Sequence, residues 1–200
     1  MLPVIRMSLL FLSGMKIYIK NMVCDRCKMV VDNELKLIGL HPSSVELGEV
    51  EIVEDISPGQ KIDLARRLQG LGFELLDDKR SRLVEKIKNK LVDLVQNKNG
   101  ELKVNLSDFL SGELHHEYSY LSNLFSEETG STIEKYFIAQ KIEKVKEWLA
   151  YDELSLSEIA FRLNYSSASH LSQQFKKVTG LSPSHFKKIG ENRRKPLDSI

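Results

Sequence analysis

Two stretches of the chain spell the same unit twice. "EYSYLSNLFSEETGSTIEKYF" (residues 117–137) and "SASHLSQQFKKVTGLSPSHFK" (residues 167–187) each place a Leu and a Phe four apart, then Thr-Gly, then a serine or threonine start and an aromatic residue. A Leu and a Phe at i and i+4 lie on one face of a helix. A glycine after them supplies the left-handed residue on which helices commonly end. Everything after Leu102 reads as helical, and the duplication predicts two copies of one helical unit joined by a long helix. Ser131 with Glu134 ("STIE") and Ser155 with Glu158 ("SLSE") are spaced as capping boxes, and Ser182-Pro183 begins another helix.

The second copy extends to "LSLSEIAFRLNYSSASHLSQQFKKVTG". It predicts a helix from Leu156 to Leu163, a short turn, and a helix from Ser167 to Val178. Ile159, Ala160 and Leu163 face inward on the first helix; Leu171, Phe175 and Val178 form the apolar stripe of the second. Asn164 falls where the turn needs left-handed backbone, which Asn tolerates better than most residues. The other face of the second helix carries Ala168, Ser169, Ser172, Gln173 and Lys176, with Lys177 beside them. Small and polar residues there make a helix slim enough for a major groove, with Gln suited to adenine and Lys to phosphate. In the first copy the corresponding outward positions are Ser119, Ser122 and Asn123, without the Arg that makes the strongest base contacts. His115 and His116, in the first turn, are read as exposed polar residues in preference to metal ligands.

"LSLSEIAFRLNYSSASHLSQQFKKVTGLSPSHFKK" resembles the second helix-turn-helix signature of the AraC-type transcriptional regulators, and the likeness covers roughly residues 103–190. The resemblance implies two helix-turn-helix units joined by a long helix, here Thr132 to Ala150. It also implies that both recognition helices enter adjacent turns of one face of double-stranded DNA, about 34 Å apart. The chain departs from that pattern in having Asn164-Tyr165 where Gly before an aromatic is usual, Lys141 where Arg is common, and a looser first unit.

The N-terminal part has a different rhythm. "KIYIKNM" alternates like a strand, and Asp25 to Ile38 permits an amphipathic helix through Met29, Val30, Asn33, Glu34 and Leu37, ended by Gly39. "SSVELGEVEIVED" reads as a strand pair about a glycine. Ser57-Pro58 starts a helix with Ile62, Leu64, Ala65, Leu68 and Leu71 inward, and "GFELL" closes as a fourth strand. The expected fold class is therefore α+β: a ferredoxin-like βαββαβ domain over residues 15–77, a linker helix over 78–101, and an all-α tandem helix-turn-helix domain over 102–190. Residues 1–14 read as a disordered tail and 191–200 as a second tail. The first of these is too short and too weakly punctuated for a membrane span or an export signal, so a cytoplasmic protein without membrane association is expected.

The only two cysteines, Cys24 and Cys27, sit in "NMVCDRC" at the strand-to-helix turn. Thiols at a helix start meet exposed N–H groups that favour the thiolate form. Two thiolates suit a soft, low-coordinate ion such as Cu(I), whereas Zn²⁺ wants further ligands. With βαββαβ around it, the loop resembles that of the heavy-metal-associated domains of copper chaperones and metal-pumping ATPases. Met22, Cys24 and Cys27 match, but Asn21 replaces a Gly and Val23 a Thr. Three readings stay open at this point: capture of Cu(I) or another soft metal ion, a surface for a homodimer or protein partner with incidental thiols, and a redox pair.

Charge divides the chain. Residues 15–78 hold 8 Lys and Arg against 12 Asp and Glu, while residues 79–200 hold 20 against 16. A DNA-reading half and an acidic sensing or docking half fit that division. No nucleophile–base set or phosphate-cradling loop appears, so no enzyme is expected. The resulting expectation is a sequence-specific DNA-binding transcriptional regulator, responsive to a soft metal through Cys24 and Cys27. The rival is a metal-trafficking or thiol-redox protein that carries a helical interaction module.

Overall fold

A computed structural model describes residues 15–98, 100, 102, 104–151 and 154–189. The expected tails at 1–14 and 191–200 lie outside the described residues, as do Arg193, Arg194 and Lys195. The chain divides into two compact units: Met15–Lys20 with Cys24–Leu76, and Asn21–Val23 with the chain from Asp77 onward.

In the first unit the elements run β1 (Met15–Lys20), α1 (Asp25–Leu37), β2 (Pro42–Glu46), β3 (Glu49–Ile52), α2 (Pro58–Gly70) and β4 (Glu74–Leu76). The four strands form one sheet in the order β2-β3-β1-β4, every neighbouring pair antiparallel. Alternation along β1 buries Ile17 and Ile19, while Lys16 and Lys20 form ion pairs with Glu49 and Glu74 of the flanking strands. Ser57 and Gln60 complete a reciprocal capping box at the start of α2, with Pro58 in its first turn.

α1 turns inward on a face other than the one expected, and α2 on only part of its expected face. On α1 the buried residues are Val31 and Leu35, leaving Met29 71% and Leu37 61% exposed. On α2 they are Leu64 and Leu68, and Ile62 is 64% exposed. Each helix buries a single i, i+4 pair, the narrow stripe needed to cover a small sheet.

The second unit is helical: α3 (Lys79–Asn97), α4 (Leu106–Leu114), α5 (Tyr118–Thr129), α6 (Ile133–Tyr151), α7 (Leu156–Arg162), α8 (Ala168–Thr179) and α9 (Pro183–Ile189). The expectation of a linker helix over 78–101 is corrected here. Val84, Ile87, Leu91, Leu94 and Val95 of α3 lie in the same core as residues of α5 and α6, each 5% exposed or less. Each such side chain contributes roughly 1.5–3 kcal/mol on burial, and a connector free in solvent could not keep them dry. The helical domain therefore begins at Asp77, not at Leu102.

The duplication is carried at a constant offset of fifty residues. Tyr118–Thr129 becomes Ala168–Thr179, and Leu106 at the start of α4 becomes Leu156 at the start of α7. Phe125 packs edge-on to Tyr136 at 5.6 Å, and Phe175 packs edge-on to Phe186 at the same 5.6 Å. Thr129 Oγ1 donates to the carbonyls of Phe125 and Ser131; Thr179 Oγ1 donates to those of Phe175 and Leu181. Gly130 and Gly180 then close the two helices with φ 68° and 78°.

One expected cap moved. Thr132 Oγ1, not Ser131, accepts the Lys135 N–H at the start of α6, and Glu134 takes the Tyr118 hydroxyl. Ser155 and Glu158 do form the expected reciprocal box, and Ser182 Oγ accepts from the His185 N–H.

Candidate nucleic-acid interface and thiol pair

The second unit contains two helix–turn–helix pairs, α4–α5 and α7–α8, tied by α6. In the second pair, Ser155 caps α7 and Ser167 caps α8. The buried Ala160 lets α8 approach, and its carbonyl accepts the Tyr165 N–H at 2.8 Å. Asn164 holds left-handed backbone at φ 56°. His115 does the same for the first turn at φ 55°, and both His115 and His116 are exposed.

On α8, Ser169, Gln173, Lys176 and Lys177 are exposed as expected, whereas Ala168 and Ser172 are half-buried. Ala168 packs against the core. Val178, expected in the apolar stripe, is 47% exposed; Leu171 and Phe175 alone anchor the helix. The exposed face is therefore centred on Gln173. On α5, Ser119 and Asn123 are exposed and Ser122 is half-buried.

Sequence reasoning missed a ring at the same place in both faces. Tyr120 is exposed on α5 and lies 5.5 Å from the His116 ring. Fifty residues on, His170 is exposed on α8, lies 5.5 Å from the Tyr165 ring, and its Nδ1 is 3.0 Å from Ser166 Oγ. Reading the offset position by position would have paired Tyr120 with His170.

The two faces differ in charge. Lys176 and Lys177 in the last turn of α8 correspond to Ser126 and Glu127 in α5. Glu127 and Glu128 are engaged by Arg80 of α3, at 2.5 and 3.1 Å. The second face thus offers cations with no acidic partner among the described residues, while on the first a helix outside the duplicated unit offsets part of the negative charge. No described helix is long and apolar enough to cross a membrane.

In the first unit Cys24 is the N-cap residue of α1, with extended backbone and an exposed side chain; Cys27 lies in the first turn and is half-buried. Their sulfurs are 3.5 Å apart. With metal–sulfur bonds of about 2.3 Å, one ion could touch both. Among the described residues no third His, Cys, Asp or Glu joins them in a metal-holding group. Thiolates are soft donors of the kind that hold soft ions. Asn21, where the resemblance has Gly, takes φ 71°. Left-handed backbone is a conformation that Gly and Asn adopt more readily than other residues.

Residues 110–189 match the family model described as "Helix-turn-helix domain". The chain is 29% identical over 80 residues to the uncharacterized HTH-type transcriptional regulator YtdP of Bacillus subtilis (strain 168), covering 40% of this chain and 10% of that protein. It is 31% identical over 102 residues to the uncharacterized transcriptional regulatory protein YesN of the same organism, covering 50% of this chain and 28% of YesN. Among solved structures, the C-terminal domain of AraT, a response regulator from Geobacillus stearothermophilus, aligns with TM-score 0.49 and 25% identity, over 56% of this chain and 88% of that one. The chain spans only a minor share of the length of these two curated relatives. Over residues 110–189 the chain therefore carries a helix-turn-helix domain.

Proposed function

We propose that the protein is a sequence-specific regulator of transcription that binds double-stranded DNA through α5 and α8. The observation that carries this reading is the fifty-residue duplication, which repeats the Thr129/Thr179 bonds, the ring pairs and two exposed polar helix faces. The repeated unit has no enzymatic logic, whereas two slim helices of like construction suit two successive major-groove segments. The free Lys176 and Lys177 support α8 as the stronger anchor, with Gln173 and Ser169 as its base-reading residues. Ala168 and Ser172 flank that face, and Ser119, Ser122 and Asn123 are their counterparts on α5.

We read the first unit as ferredoxin-like and of a heavy-metal-associated type; its sheet order β2-β3-β1-β4, with α1 and α2 each following a strand, supports that reading. Cys24 and Cys27 would hold Cu(I) or a similar soft ion, which would supply charge and a rigid link between two thiolates. Its differential binding to two states of the protein would shift DNA affinity. A homodimer or protein partner would dock through the same unit. The 3.5 Å sulfur spacing also favours a second reading, a reversible dithiol–disulfide pair in a metal-trafficking or redox protein.

The test selects bound fragments from the host genome with the reduced chain, with and without Cu(I), followed by gel shifts. Specific binding that weakens steeply with salt and changes with Cu(I) supports the reading. Equal affinity for all DNA overturns the regulator. Failure of Cys24→Ser to alter Cu(I) competition against a micromolar chelator overturns the metal site.

A further inference from the structure

Lys141 of the joining helix α6 serves the second turn. Its Nζ donates to the Leu163 carbonyl at 2.8 Å, at the end of α7. The same ammonium lies 4.9 Å from the centre of the Phe137 ring and 5.1 Å from that of Tyr165. Its stem passes against Gly100, after the end of α3, where an added Cβ would meet Lys141 Cε at 2.8 Å and where the backbone is left-handed at φ 70°. Lys141 thus sits between the tail of α3 and the turn that launches α8. Beyond it, the Tyr165 ring meets the edge of His170 on the exposed face of α8, and the Tyr165 N–H is bound to Ala160.

We propose that Lys141 is a positioning residue for DNA reading: by holding the Leu163 carbonyl and backing the Tyr165 ring, it sets the angle at which α8 and its His170 leave the turn. The side chain touches no nucleic acid itself. An α-helix in a major groove tolerates little error, because bidentate base contacts are lost with small displacements. The proposal rests on the reading of α8 as a recognition helix.

The experiment compares Lys141→Met and Lys141→Arg with the wild-type full chain on a selected DNA fragment, with Gln173→Ala as a base-contact reference. Lys141→Met is expected to weaken specific binding about tenfold. Its salt slope stays that of the wild type, because no phosphate contact is removed. Its far-UV circular dichroism and melting temperature stay close to wild type, and its preference narrows to the base pairs read by α5. Lys141→Arg, which keeps a charged donor, restores most of the affinity. Hydrogen exchange is followed in parallel: the Tyr165 and His170 amides should exchange faster in Lys141→Met while those of α5 do not. Unchanged exchange at these amides overturns the proposal, even if the wild type binds no DNA. So does binding by Lys141→Met equal to wild type, a loss of binding that only tracks a lower melting temperature, or no recovery in Lys141→Arg. Absence of specific binding by the wild type, with the exchange difference present, overturns the DNA reading and keeps Lys141 as the strut of the turn.

Discussion

Lys146 Nζ lies 2.6 Å from Glu143 Oε1 on α6, with the two side chains only 8% and 6% exposed. A buried pair is weak evidence for stability as a whole, but removing one partner takes a close opposite charge from the other in a nearly dry place. Lys146→Met is therefore expected to cost about 3 kcal/mol, and Lys146→Met with Glu143→Leu to recover most of it. The single tryptophan, Trp148, stands two residues beyond Lys146 on the same helix. Its fluorescence through a urea titration reports on this unit. Equal stability of the single and double variants would show that the pair does not act as a unit.

The caps give a second expectation. Ser155→Ala removes a bond to the Glu158 N–H and breaks a complete capping box, with an expected loss of about 1 kcal/mol. Thr132→Ala takes away the acceptor for Lys135 N–H and should cost a similar amount. Ser131→Ala, at the residue that the sequence spacing marks as the cap, should change stability by no more than about 0.5 kcal/mol. Thermal melts of the three variants separate the two assignments of the start of α6.

That contrast shows what was legible. Element type and order could be read because period, caps and glycines agree locally: β1, the strand pair, the helix start at Ser57-Pro58 and both copies of the helical unit. Asn21 and Asn164, each standing where a related pattern has Gly, both take left-handed backbone, so even the departures carried structural information. Which face goes inward was harder. Met29, Ile62 and Val178 are apolar yet exposed, because a small sheet or a two-residue anchor needs only part of each helix. The role of α3 was hidden for another reason. Its apolar stripe announces burial, but no local signal says against what, and only packing assigns it to the helical core. The shift of a cap from Ser131 to Thr132 is likewise tertiary: the Tyr118 hydroxyl claims Glu134, and that bond holds the carboxyl below its usual range.

Titration of Lys141 supplies a pH test. Burial lowers its pKa from 10.5 to about 8, since a desolvated ammonium is disfavoured. Below pH 8 both folded and unfolded chains are protonated there, and the group adds no slope. Between pH 8 and 10.5 the unfolded chain binds more protons than the folded one, so this residue makes stability rise with pH, by up to about 1.4 kcal/mol per unit. Burial also raises Tyr118, Tyr136 and Tyr165 above their ordinary 10.0, an opposing effect that begins only as the unfolded tyrosines ionise. The difference between wild type and Lys141→Met in urea midpoint should therefore grow between pH 8 and 9.5 and be flat from 6 to 7.5. A difference independent of pH across both ranges would mean that Lys141 titrates as an ordinary lysine.

The asymmetry between the two polar faces leads to the last expectation. Gln173 lies at the centre of the exposed face of α8, and Gln173→Ala should relax preference at one base pair by about 1–3 kcal/mol while sparing the others. Lys176→Ala should weaken all sequences alike and reduce the salt slope by about 1. Arg80 makes the opposite kind of contribution on the first face, where its one positive charge offsets half of that carried by Glu127 and Glu128 at the end of α5. Arg80→Ala leaves two carboxylates uncompensated beside a polyanion. It should lower affinity at low salt, and the deficit should shrink as salt screens the repulsion. Adding Glu127→Gln and Glu128→Gln should return low-salt affinity at least to the wild-type level, since it removes both negative charges where the guanidinium offset only one, and because the guanidinium acts there by charge and not by touching DNA. If Arg80→Ala instead loses affinity equally at every salt concentration and the glutamine changes restore nothing, the acidic end of α5 lies away from the duplex, and the α4–α5 pair meets DNA by another edge.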